Sequence, residues 1–91
     1  MEIEDMLSPL EIRKLAFMTI YARKEEGASP EEIDKVIAWA AGTKAMEATL
    51  ELILSGKVSV DYDPEADDVR FHLIPEEELP KVMSELQKLE G

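Results

Sequence analysis

Five carboxylates fall within the eight residues of "DYDPEADD": Asp61, Asp63, Glu65, Asp67 and Asp68. Asp61, Asp63, Glu65 and Asp67 have the alternate spacing of the first ligands in a calcium loop, and carboxylate oxygens suit that hard cation. The same loop needs glycine at its sixth position and a bidentate glutamate at its twelfth, where this chain has Ala66 and His72. The run is therefore read as an acidic turn, not a metal site. Ser59, Asp61 and His72, the only histidine, have the residue types of a hydrolase triad. A regular strand pair offers them neither a strained nucleophile turn nor oxyanion donors, so catalysis is not expected. Cysteine is absent, which excludes disulfides and thiolate chemistry. The four glycines fall at helix ends or the chain end, leaving no phosphate loop. No catalytic residue, metal or cofactor is expected.

These residues need elements to position them. "SPLE" at Ser8–Glu11 and "SPEE" at Ser29–Glu32 each combine an N-cap serine, a proline at the first helical position and a glutamate at the third. That pattern starts a helix, because the serine hydroxyl and the glutamate satisfy each other's backbone N–H groups. The first helix is predicted over 9–26, ending at Gly27, with two apolar arcs. One arc is Leu7, Leu10, Phe17, Met18 and Tyr21; the other is Ile12, Ala16, Thr19 and Ile20. A second helix follows over 30–41, with Ile33, Val36, Ile37 and Ala40 inward and Trp39 at the edge. A third runs over 43–54, with Met46, Thr49, Leu50 and Ile53 inward, closed by Gly56. The period then changes to two. With a loop at 64–67, Val58 meets Leu73, Val60 meets Phe71 and Tyr62 meets Val69 on one face. Ser59 meets His72 and Asp61 meets Arg70 on the other. A last helix is predicted over 76–89, with Leu79, Val82, Met83, Leu86 and Leu89 as its stripe and Pro80 in its first turn or marking a delayed start.

The chain has 91 residues and a formal net charge of −11, from 21 acids and 10 bases. That length suits one domain. Ten of the acids lie in residues 57–91, against four bases. Phosphate backbones and anionic membranes are bound through clustered Lys and Arg, so this balance disfavours both and favours a basic protein partner. No apolar run approaches the length of about 20 residues that spans a bilayer. The acidic N-terminus is unlike a signal or transit peptide, and a cytoplasmic location is expected. Absent asparagine, a single glutamine and 34% charged residues hint at a thermophilic source.

The order of elements, with "AWAAG" at Ala38–Gly42 as an A-x-x-x-G turn and "LILSGKVSV" leading into "VRFHLIP", resembles the winged-helix, or winged helix-turn-helix, superfamily over residues 9–75. The resemblance implies an α+β, mainly α fold: three helices, a β-hairpin wing and a C-terminal helix over 76–90, all in one domain spanning 1–91. It also implies a third helix in the DNA major groove and a wing near the phosphates. Thr43, Lys44 and Arg70 would then contact DNA, in a transcriptional regulator whose bases Arg13, Lys14, Arg23, Lys24, Lys35 and Lys44 gather on one face. The chain departs from this pattern in sign, because its third helix presents Glu47 and Glu51 and its wing presents Asp63, Glu65, Asp67 and Asp68. The expected function is a protein-interaction or regulatory module, with those six acids meeting a basic or DNA-binding partner. Direct DNA binding is disfavoured. A homodimer is expected through Ile12, Ala16 and Ile20 of the first helix and Val82, Met83, Leu86 and Leu89 of the last, since both helices carry more apolar surface than a small core needs.

Overall fold

The computed structural model describes residues 7–42 and 47–91. The fold is α+β and mainly helical. Helices α1 (Pro9–Ala22), α2 (Pro30–Gly42) and α3 (Glu47–Leu54) precede strands β1 (Val58–Asp63) and β2 (Asp68–Leu73). A single 3-10 turn (Glu76–Glu78) leads into α4 (Leu79–Glu90). Among the described residues no helix is long and apolar enough to cross a membrane.

Both helix-start signals form as read. Glu11 N donates to Ser8 Oγ at 3.1 Å, and Ser8 N donates to Glu11 Oε1 at 2.8 Å. Ser29 and Glu32 repeat the arrangement at 3.1 and 2.9 Å. The first helix is shorter than predicted: it stops at Ala22, and residues 23–26 form turns before Gly27 at φ 81°. The backbone leaves the helix at Arg23, whose φ of −117° and ψ of 35° are not helical. The second helix extends through Gly42. The predicted start of the third at Thr43, and its inward Met46, lie outside the described residues. The last helix starts late, with Pro80 in its first turn, where proline loses no helical hydrogen bond.

One apolar cluster joins all the elements, with Leu15, Met18, Val36, Ile53 and Val60 fully buried at its centre. Of the two arcs read for α1, the first packs inward, with Leu7 and Met18 buried and Phe17 and Tyr21 against the cluster, and the second is corrected. The buried residues of α1 are Leu15, Met18 and Thr19, and the Thr19 hydroxyl donates back to Leu15 O at 2.7 Å. Ile12 and Ile20, from the second arc, stay exposed.

Gly56 joins α3 to β1 and is constrained twice. Its φ is +85°, a region that side chains with a Cβ rarely adopt. A Cβ there would also lie 2.9 Å from Leu86 Cδ1 and 3.2 Å from Val82 Cγ1. The glycine lets α4 close onto the α3–β1 junction. Val82 and Leu86 are 1% and 4% exposed as a result. The expected placement of these two residues in a dimer seam is therefore corrected: their side chains are buried within one chain. Met83, Ile12 and Ile20 remain exposed, while Ala16 and Leu89 are half-buried.

Candidate functional site

The hairpin forms in the predicted register, from Val58↔Leu73 through Asp63↔Asp68. Its tip is built from its own carboxylates. Asp63 Oδ1 accepts the N–H of Glu65 at 3.0 Å, the local bond that makes an Asp turn. Asp67 takes φ 51°, the left-handed region that aspartate tolerates better than most residues. Its carboxylate accepts the Tyr62 hydroxyl across the tip. Asp68 Oδ1 accepts the N–H of Val69 at 2.8 Å. Asp63 also pairs with Arg70 at 2.8 Å. Three of the four acids assigned to partner binding on the wing thus hold the turn as well, while Glu65 is exposed with only its backbone engaged.

These contacts set the protonation chemistry. Partial burial pushes the Asp63 carboxyl up, but the N–H groups of Glu65 and Ala66 and the Arg70 guanidinium outweigh it and hold Asp63 below the usual carboxylate range. The Tyr62 phenol is pushed up to about 12, first by its hydrogen bond to Asp67, then by burial and the charges of Asp67, Glu31 and Asp63. Lys35 of α2 lies 5.8 Å from the centre of the Tyr62 ring and adds a cation–π contact.

Asp61 does not belong to the tip. Arg23 Nε donates to its Oδ1 at 2.8 Å, and Arg23 also pairs with Glu32 at 3.0 Å and reaches Tyr62 O at 3.4 Å. One guanidinium thereby ties the end of α1 to the start of α2 and to β1. Hydrogen bonding to Asp61 raises the Arg23 pKa further, against the opposing effect of burial. The expected Asp61–Arg70 pair is modified by this hub. The two residues are opposite in register, yet Arg70 reaches diagonally to Asp63 because Arg23 holds Asp61. Sequence reasoning missed Arg23, which it counted only among the bases. Glu26 is a local partner at i+3, but Asp61 and Glu32 lie 38 and 9 residues away, so no local spacing reveals the hub.

Beside the hub lies an open cleft of about 370 Å³, lined by Arg23, Lys24, Glu26, Asp61 and His72 among others. His72 Nε2 stands 4.0 Å from Asp61 Oδ2. Ser59 Oγ donates to the carbonyl of His72, not to its ring. Ser59, Asp61 and His72 are therefore neighbours without the nucleophile–base hydrogen bond that a triad requires.

On α3, Glu47 and Glu51 are exposed. Thr43 and Lys44, assigned to DNA contact, lie outside the described residues. The other bases considered for a DNA face are mostly engaged within the chain. Lys14 pairs with Glu90 at 2.9 Å, Lys24 with Glu78 at 3.2 Å, and Arg23 with three acids. Only Arg13 of that set has neither an ion pair nor a cation–π contact among the described residues. No group of three His, Asp or Glu side chains among the described residues is arranged to hold a metal ion. Compared with protein-family models, with curated proteins and with solved structures, the chain finds no match.

Proposed function

We propose that the protein is a small winged-helix-type interaction module that docks a basic or DNA-binding protein through α3 and the hairpin tip and does not read duplex DNA itself. The observation that carries this reading is the sign of those two surfaces. The described residues of α3 include Glu47 and Glu51 and no base, and residues 63–68 hold four acids and no base. Arg70, the one base of β2, is paired with Asp63. A groove-bound α3 would bring these carboxylates within a Debye length, about 8 Å, of phosphates, where like charges repel. Base readers offset such repulsion with several bidentate contacts worth about 1–3 kcal/mol each. Residues 47–54 carry no Arg, Lys, Asn or Gln to make them.

The test uses a charge reversal that spares the bonds holding the tip: Glu47→Lys, Glu51→Lys and Glu65→Lys together. The parent chain is expected to leave a fluorescent duplex unbound at physiological salt. The triple variant should bind it weakly, without sequence preference and with strong salt dependence. In co-purification from source cells, the parent should retain a basic protein that the variant loses. Tight, sequence-selective duplex binding by the parent would replace this reading with that of a DNA-binding regulator.

A further inference from the structure

The outer edge of β2 lies apart from the acidic surface of α3 and the tip, and its backbone and side chains together describe a partner. Ile74 N donates to Lys57 O at 3.1 Å, and the unbroken register runs on from there. In such an antiparallel ladder, Asp68, Arg70 and His72 turn their N–H and C=O groups toward β1, and Val69, Phe71 and Leu73 turn theirs outward. The Val69 N–H is taken by Asp68 Oδ1. Those of Phe71 and Leu73 find no acceptor among the described residues. Leu73 is also 86% exposed and Phe71 42% exposed. Edge strands usually carry a bulge, a proline or an outstanding lysine that discourages pairing. This strand has none of them. Its two permanent charges are engaged inside the chain, Arg70 by Asp63 and Asp68 by the Val69 N–H.

We infer that β2 pairs antiparallel with β2 of a second copy, about a two-fold axis at Phe71, joining two hairpins into one four-stranded sheet. Open donors along an extended backbone call for another strand, and charge selects which strand. In a chain of net charge −11, most of the surface repels its own copy. Among its permanent charges β2 is balanced, with Asp68 offset by Arg70. A basic strand would find only Asp68, at one end, to pair with. A two-fold at Phe71 sets Val69 opposite Leu73 of the second copy and Phe71 opposite its equivalent, all on one face. It also carries the two acidic tips to opposite ends of the sheet. At about 3.4 Å per residue the nearest tip acids, Asp68 and its equivalent, lie about 20 Å apart, more than two Debye lengths. This seam uses none of the carboxylates of the proposed function and stands or falls apart from it. It also differs from the α1–α4 seam expected from sequence.

Sedimentation velocity across a concentration series, with amide hydrogen exchange, tests the pairing. The parent chain is expected to dimerise, with the amides of Phe71 and Leu73 slowed at high concentration. Leu73→Lys should weaken association at least about ten-fold while leaving the circular dichroism spectrum unchanged, and the melting temperature unchanged at concentrations where both chains are monomeric, since Leu73 is scarcely buried. Ile20→Lys, on the exposed face of α1, should leave the dimer intact. A parent that stays monomeric at high micromolar concentration overturns the inference. So does a dimer that survives Leu73→Lys, or one in which the two amides exchange as fast as in the monomer.

Discussion

β1 and β2 have six residues each, pair residue for residue and alternate apolar with polar side chains in the same way. Their environments nevertheless differ. Val58, Ser59 and Val60 are buried in succession, so β1 is covered on both faces. Helices α1, α2 and α3 all pack against β1, and Arg23, just past the end of α1, holds Asp61. β2 is covered far less: Phe71 meets the Trp39 ring of α2 at 5.6 Å between centres, but only Val69 is half-buried and the other five residues are exposed. Leu73, directly opposite the buried Val58, is the most exposed large apolar residue described. Alternation states which residues share a face. What lies over that face depends on helices elsewhere in the chain.

The sharpest way to break this comparison is to place one charge on each strand. Val60→Asp buries a carboxylate at a fully enclosed position with no base on hand. An uncompensated buried charge costs about 3–5 kcal/mol, a large share of the 5–15 kcal/mol that holds a small domain together. The variant is expected to be largely unfolded at 37 °C. Leu73→Asp, compared with the parent at concentrations where both are monomeric, should change stability by less than about 0.5 kcal/mol, as for most surface substitutions. Urea denaturation of both variants measures the contrast, and equal losses would mean that β2 is as enclosed as β1.

Gly56→Ala comes next, because it disturbs the junction that sets β1 into the core. The positive φ costs about 1–3 kcal/mol in a residue with a Cβ. Crowding against Leu86 and Val82 adds about 1–3 kcal/mol. Thermal melts should show a loss of about 2–6 kcal/mol. A loss below about 1 kcal/mol would mean that α4 retreats freely and is not locked onto β1. Leu86→Glu should likewise unfold the chain rather than merely dissociate a dimer, because Leu86 packs inside it.

Much of this architecture is readable from the sequence. The serines at 8 and 29 mark two helix starts because capping is a local bond. The hairpin register follows from which pairs are chemically compatible, and its loop from the turn residues at 64–67. What stayed hidden depends on distant choices. Ser59 sits on the polar side of the alternation, yet it is buried, with its hydroxyl donating to the His72 carbonyl. Val82 and Leu86 have the periodicity of any apolar stripe, and only the missing Cβ of Gly56 shows that α4 turns them inward. The acids of the candidate surface could be named from spacing, but not that Asp61 would leave them for Arg23.

Removing that arginine tests how β1 gains its second cover. Arg23→Met keeps the length of the side chain and deletes its hydrogen bonds to Asp61 and Tyr62 O and its ion pair with Glu32. Hydrogen bonds to charged groups contribute about 1.5–3 kcal/mol when buried, and partial exposure screens these. A loss of about 1–2 kcal/mol is expected. Asp61→Asn in the Arg23→Met background should then cost little more, since the two residues act as one unit. Additive losses in that double-mutant cycle would show that Arg23 and Asp61 contribute separately.

The smallest expected effect lies where the two strands meet at the tip. Tyr62 closes the covered strand and Asp67 leads into the uncovered one, so their hydrogen bond is a tie between the two environments. The phenol is pushed from its ordinary value of 10.0 to about 12 in the folded chain. A proton held more tightly when folded stabilises the fold, and this contribution is complete below pH 10. It is lost as the pH rises from 10 to about 12. Asp63 acts in the opposite sense. Its folded pKa lies below the ordinary 3.8, so its contribution is complete at neutral pH and is lost as the pH falls below about 4. Phenolate absorbance measured for the parent chain and for Tyr62→Phe isolates the first effect. The difference between the two titrations should be a single transition centred near 12. Asp67→Ala should bring that transition down toward 10, because the carboxylate that holds the proton is gone. A transition near 10 in the parent chain would mean that the tie does not form in solution, leaving the tip to Asp63 and the turn alone.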